Sequence, residues 1–246
     1  MTGPSMLARP PGRRLAYRRR RGRGPTILFL AGYMSDMEGG KATALDGWAG
    51  REGRAMIRFD YGGCGASGGD FEAQRLEDWL ADTLAMIDET AEGPVVLVGS
   101  SMGGWLMLLA ALARRARVAG LVGIAATPDF TSWGFSEEEK RTIRDDGRLA
   151  VASPYGDQPY VTSRAFWESG ERHLLLGSEV AVDCPVRLLH GQADPDVPWR
   201  LSLDLAERLR SADVQTILVK DGDHRLSRPQ DIALLIATVD GLMELL

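Results

Sequence analysis

The chain has 246 residues, 44% hydrophobic and 26% charged, with a formal net charge of −5 and only two cysteines, Cys64 and Cys184. This balance fits an ordinary globular protein with one sizeable domain or two small ones, and two cysteines are too few for a disulfide framework. No apolar run reaches the roughly 18 residues of a membrane span, and the first 25 residues contain no apolar signal-peptide core, so neither a membrane span nor secretion is expected.

The N-terminal stretch is instead rich in arginine, at Arg9, Arg13, Arg14 and Arg18 to Arg21. Such a run can be a nucleic-acid arm. The acidic balance of the whole chain argues against that, and so does the way "RRLAYRRRRG" reads as a polar-edged strand leading into "PTILFLAG". No nucleic-acid partner is expected. The only lysines are Lys41, Lys140 and Lys220, and the arginine excess is read as codon usage.

In chain order, "RLAYRRR", "TILFLA" and "AMIRFD" are expected as strands, with a helix over "KATALDGWAGREG" between the second and third. A longer helix follows over "AQRLEDWLADTLAMIDETA", where Leu76, Trp79, Leu80, Thr83, Leu84 and Ile87 recur at helical spacing. Next come "VVLVGS", apolar throughout as a doubly covered parallel strand should be, the helix "MGGWLMLLAALARRA" and the strand "VAGLVGIAA". After residue 183 the alternation resumes with "PVRLLH", "WRLSLDLAERLRS", "VQTILVK" and a last helix from "RPQD", where Pro229 suits the first turn. Strand and helix in alternation imply an α/β fold, with a mostly parallel sheet of about seven strands and helices on both faces.

Residues 129–183 break the rhythm. They show no clear strand, several aromatics (Phe130, Trp133, Phe135, Tyr155, Tyr160, Phe166, Trp167) and a charged helix "SEEEKRTIRDDG", with Ser136 and Glu139 spaced as a capping box. The expected organisation is a core of residues 1–128 and 184–246, with 129–183 as a helical cap or lid.

At the seam between "VVLVGS" and its helix stands Gly99-Ser100-Ser101-Met102-Gly103. A phosphate loop would need a lysine here and a dinucleotide fingerprint another glycine spacing. The pattern fits G-x-S-x-G, in which the central serine occupies a strained strand-to-helix turn and its neighbours two residues away must be small. This register selects Ser101 as nucleophile. A serine needs a base, and the base an orienting acid, in chain order Ser, Asp or Glu, His. Of His173, His190 and His224, only His224 follows the plausible acids, so it is the expected base and His190 is read as structural. "HGQADPDVP" offers Asp194 and Asp196; Asp194 is preferred because it comes soonest after the strand, and Asp221 and Asp223 rank below both. Backbone N–H groups of Met102, at the helix start, and of Tyr33, after "TILFLAG", are the expected oxyanion donors. Arg58 and Asp60 are read as holding a nearby loop, and Cys64 as packing rather than reactive.

These motifs resemble the α/β-hydrolase superfamily. Within it, "GYMSDMEGGKA", "IRFDYGGCGASGGDFE", "LVGSSMGGWLMLLAA", "CPVRLLHGQADPDVPW" and "DHRLSRPQDIALL" resemble the family of the mitochondrial palmitoyl-protein thioesterase that also hydrolyses acyl glucuronides. The resemblance runs from about residue 25 to the end and is weakest in the insertion; Ala31 stands where many hydrolases have histidine. It implies the triad Ser101, Asp194 and His224, and hydrolysis of a small-molecule or protein-bound acyl ester or thioester, with no metal or cofactor. An acyltransferase or peptidase using the same triad, or a non-catalytic ligand-binding protein of this fold, remain the alternatives. The family's location is not carried over, because the start lacks a serine-rich transit segment and the arginine bias suggests a bacterial homologue; a cytoplasmic location is expected. Chain-length preference and oligomeric state are not legible.

Overall fold

The computed structural model describes residues 3–10, 12–152 and 159–246. An antiparallel pair, β1 (Ser5–Arg9) and β2 (Arg13–Arg20), forms one edge of the sheet. Six parallel strands continue it: β3 (Arg23–Leu30), β4 (Arg54–Phe59), β5 (Val95–Ser100), β6 (Val118–Ile124), β9 (Val186–Gly191) and β10 (Val214–Val219). The order across the eight strands is β1-β2-β4-β3-β5-β6-β9-β10. All seven strands expected from sequence are present, and β1 is an eighth. It was not legible because five half-exposed edge residues carry no apolar run.

Helices α1 (Gly40–Arg51), α2 (Leu76–Ala85), α3 (Met102–Ala113) and α7 (Arg200–Arg208) connect parallel strands, and α8 (Pro229–Met243) follows the last one. A Cβ at Gly120 of β6 would meet Leu242 of α8 at 3.1 Å, and one at Gly123 would meet Met107 of α3 at 3.5 Å. Side chains an odd number of residues apart point to opposite faces of a strand, so α8 and α3 cover opposite faces. β5, at the centre, is buried along its whole length. On α2 the expected face packs inward, with Leu76, Trp79 and Thr83 buried, and Ile87 just beyond it is buried too. The helix then widens into a π-helical turn, Met86–Thr90, where Ala91 N–H reaches back to the Met86 carbonyl. Burying a large side chain such as Trp79 or Trp105 stabilises the fold by about 2–3 kcal/mol.

Four of the five arginines of β2 face acidic partners in the same chain. Arg13 pairs with Asp82, Arg18 with Glu38, Arg19 with Glu92 and Arg20 with Asp46.

Between β6 and β9 lie α4 (Phe130–Trp133), α5 (Glu137–Asp146), β7 (Arg148–Val151), β8 (Tyr160–Ser163) and α6 (Arg164–Glu171). The capping box forms: Glu139 N–H donates to Ser136 Oγ, and Ser136 N–H donates to the Glu139 carboxylate. The segment was expected to be helical without strands, yet β7 and β8 pair as an antiparallel hairpin. At four residues each, with β7 largely exposed, they are too short for an alternating pattern to show. Tyr155 of the expected aromatic set lies outside the described residues. Asp129 ties the two ends of the insertion together, its buried carboxylate accepting the N–H groups of Leu175 and Leu176 at 2.7 Å each. Burial pushes that carboxyl up despite the two donors.

Candidate active site

Ser101 sits between β5 and α3 with φ 53° and ψ −120°, a left-handed conformation costly for a residue with a side chain. Three backbone bonds hold it there. Ser101 N–H donates to the Ile124 carbonyl, and the Ser101 carbonyl accepts the N–H groups of Gly104 and Thr127. The small neighbours are sterically required. A Cβ at Gly99 would lie 2.4 Å from the Gly103 carbonyl oxygen, and one at Gly103 would lie 2.1 Å from that of Leu30. Nothing larger than glycine fits at either flank without moving backbone.

The loops after β9 and β10 meet above this turn. Their approach depends on Gly191, where a Cβ would fall 2.1 Å from the Gly222 carbonyl oxygen. There the structure brings together the three residues named from sequence. His224 Nε2 lies 3.2 Å from Ser101 Oγ, and His224 Nδ1 lies 2.8 Å from Asp194 Oδ2. A carboxylate only accepts, so Nδ1 carries the imidazole proton and Nε2 is left to accept from the serine hydroxyl.

Asp194 is shut off from solvent and fully engaged. Its Oδ1 accepts the N–H groups of Asp196 and Val197 at 2.8 and 2.9 Å, and its Oδ2 also accepts from His190 Nε2 at 3.2 Å. Burial alone would raise its pKa. The hydrogen bonds from His190 and His224 and the Val197 N–H outweigh burial and hold the carboxyl well below the usual carboxylate range. His190 is fixed in turn, Nδ1 accepting from the Ser202 hydroxyl at 2.7 Å. Sequence reasoning set His190 aside; its place four residues before Asp194 in "HGQAD" was the available signal. His173 lies elsewhere, its Nδ1 bonded to the Ser169 carbonyl. Asp221 pairs with Arg228, and Asp223 accepts the N–H of Leu226.

Asp194, Asp196 and His224 each place one potential metal-ligand atom within 4.8 Å of the others. Asp194 and His224 already direct those atoms at each other, and the remaining Asp194 oxygen accepts two backbone N–H groups. The arrangement suits a proton relay better than a ligand set.

On the opposite side of Ser101, β3 runs into a turn in which Ser35 N–H donates to the Gly32 carbonyl at 3.2 Å. Met102 opens α3. Neither the Tyr33 nor the Met102 N–H donates to another group among the described residues, and both residues line a cleft of about 720 Å3 that also contains Ser101 and His224. Two backbone N–H groups without a partner among the described residues, one of them at a helix N-terminus, thus belong to residues that line the cleft beside Ser101. The segment beyond the turn is anchored as expected. Asp60 accepts the Met37 and Ala66 N–H groups at 2.7 and 2.8 Å, and Arg58 donates to the Met37 carbonyl.

The cleft has two characters. Phe130, Trp133, Phe135, Leu149 and Val151 from the insertion give one wall an apolar lining, while Lys41, Asp196 and Ser227 lie towards the His224 loop. Lys41 was not singled out from sequence. Its Nζ donates to the Arg225 carbonyl, one residue beyond His224, at 2.5 Å. Burial and then the charge of Arg225 lower its pKa from 10.5 to about 8. Cys64 is buried, and burial, with the negative charges of Asp60, Asp82 and Asp36, pushes its thiol up to about 12, which suits packing. No helix among the described residues is long and apolar enough to cross a membrane.

Comparison with known proteins agrees with this architecture. A family model described as serine aminopeptidase, S33 matches residues 26–133. The human mitochondrial palmitoyl-protein thioesterase ABHD10 is 43% identical over 247 residues, covering 99% of this chain and 81% of the human protein. The structure of mouse α/β-hydrolase domain-containing protein 10 superimposes with a TM-score of 0.92 at 42% identity, covering 99% of each chain. Est1E from Butyrivibrio proteoclasticus shares the fold, with a TM-score of 0.81 at 19% identity over 97% of this chain and 98% of its own. The expected cytoplasmic location is corrected by this comparison, because the human, orangutan and bovine ABHD10 relatives are all named mitochondrial. Most of the arginines near the start lie on β1 and β2 and form ion pairs with acidic residues of the same chain, so they are no guide to compartment. The chain belongs to the α/β-hydrolase family of the palmitoyl-protein thioesterase ABHD10 and is a hydrolase.

Proposed function

We propose that the protein is a serine thioesterase and esterase in which Ser101, His224 and Asp194 are the catalytic triad and residues 129–183 cap an acyl-binding cleft. The observation that carries this is the unbroken relay from Asp194 through His224 to Ser101, at 2.8 and 3.2 Å, at the floor of a cleft with one apolar wall. Ser101 Oγ attacks the acyl carbonyl as His224 Nε2 takes its proton, and Asp194 stabilises the imidazolium that forms. The N–H groups of Met102 and Tyr33 receive the negative charge on the carbonyl oxygen. Collapse of the tetrahedral intermediate expels the thiol or alcohol, which collects the proton from His224. A water activated by the same base then releases the acid and restores Ser101. The apolar wall suits an acyl chain, in line with the palmitoyl-protein activity in the relatives' name.

The family model's description as an aminopeptidase favours one competing reading, amide hydrolysis by the same triad. The test is kcat/KM on matched acyl thioesters, oxygen esters and aminoacyl amides from acetyl to palmitoyl, with Ser101→Ala as blank. The proposal expects thioester and ester turnover that rises with chain length and vanishes in the blank. Turnover of the amides alone would replace it with the peptidase reading, and an undiminished blank would refute the triad.

A further inference from the structure

The turn that carries the Tyr33 N–H is strained. Its third residue, Met34, has φ 53°, a left-handed value at a residue with a side chain. Such a conformation persists only where the surroundings over-determine it. Below, the turn grows from the buried end of β3, and beyond it Met37 is fixed by Asp60 and Arg58. Between those anchors, the Tyr33 side chain is what ties the turn down. Its phenol donates to the carbonyl of Val161 on β8, in the insertion, at 2.5 Å. Its ring packs against Phe71 and Trp79 of the core and against Phe130, Tyr160 and Phe166 of the insertion, at centroid distances of 5.1 to 6.5 Å.

We infer that the Tyr33 phenol is a positioning group, holding the strained turn so that the Tyr33 N–H points into the oxyanion site, and that the insertion supplies its anchor through the Val161 carbonyl. The inference rests on the esterase reading above. One residue thus makes a backbone contact with the reacting oxygen and a side-chain contact with the cap. Since a backbone donor acts on the transition state more than on bound substrate, loosening it lowers kcat and leaves KM alone.

The test is Tyr33→Phe, which keeps the ring and its packing and removes only the phenol oxygen, assayed on a long-chain thioester and a short oxygen ester. Expected is a fall in kcat of about tenfold on both, with KM within about twofold and a parallel fall in the rate of fluorophosphonate labelling of Ser101. Adding Met34→Gly to Tyr33→Phe relieves the left-handed strain and should recover part of the lost kcat. A Tyr33→Phe protein with unchanged kcat, whatever its melting temperature, would show the bond to be merely structural and overturn the inference. A raised KM at unchanged kcat would overturn it too, assigning the bond to the shape of the acyl cleft. Wild-type protein that turns over neither substrate would bring down the esterase reading itself, and this inference with it.

Discussion

Asp194 receives four hydrogen bonds, from two histidines and two backbone N–H groups, and its side chain is shut off from water. The turn opposite, which carries the Tyr33 N–H, rests on a cluster of rings and one phenol bonded to the insertion. The proposed acid–base side is therefore a polar network in which each member fixes the next. The proposed oxyanion side is an apolar assembly shared between the core and the segment that joins β6 to β9. Polar networks fail steeply when one member is removed, because the partner is left buried and unpaired. Packed rings degrade by degrees.

The largest expected effects break the acid–base side. Ser101→Ala or His224→Ala should lower kcat by about five to six orders of magnitude with the fold intact by circular dichroism. Asp194→Asn should cost about 10⁴ in kcat, since an amide can present an N–H to His224 and favour the wrong tautomer. It should also cost about 1–3 kcal/mol of stability in urea titration, because the buried His190 N–H loses a charged acceptor. Gly191→Ala should come next. Its Cβ would meet the Gly222 carbonyl and push the acid and base loops apart, destabilising the protein by about 1–3 kcal/mol and lowering kcat by more than its loss of stability explains.

The smallest effect sharpens the comparison through pH. Lys41 braces the His224 loop with a pKa lowered from 10.5 to about 8. Between those values the unfolded chain binds more protons than the folded one, so this lysine makes stability rise with pH from about 8 to 10.5. Lys41→Met should lack that rise, and the difference between the two urea midpoints at pH 7 and pH 10 measures it. The Asp194 pKa is lowered as well, but there the shift reflects a stabilised charge rather than a destabilised one. Its contribution is present above the ordinary carboxylate range and is lost as the pH falls through its depressed folded value.

The core side of the site was legible in the sequence because its chemistry restricts residue types. Glycine at 99 and 103 marks an elbow that admits nothing larger, and only one of three histidines follows the candidate acids. Long apolar strands such as β5 announce themselves. The support of the site was less legible. His190 lies inside "HGQADPDVP" and Lys41 inside "GYMSDMEGGKA", but neither residue type marks its role, and the Lys41 contact is made across 184 positions. The β7–β8 hairpin is too short and exposed for periodicity, and the bond from Tyr33 to Val161 spans 128 positions. Location was misread because composition separates secreted from reducing compartments and goes no further.

The account's central claim is an acyl group carried on Ser101. Rapid mixing with a palmitoyl thioester, acid quench and mass spectrometry of the digested protein would test it most directly. The account predicts a palmitoyl increment on the peptide containing Ser101, absent from Ser101→Ala, that builds up within the first turnover and decays with steady-state hydrolysis. Continued turnover by Ser101→Ala, with no acylated peptide in the wild type, would contradict it.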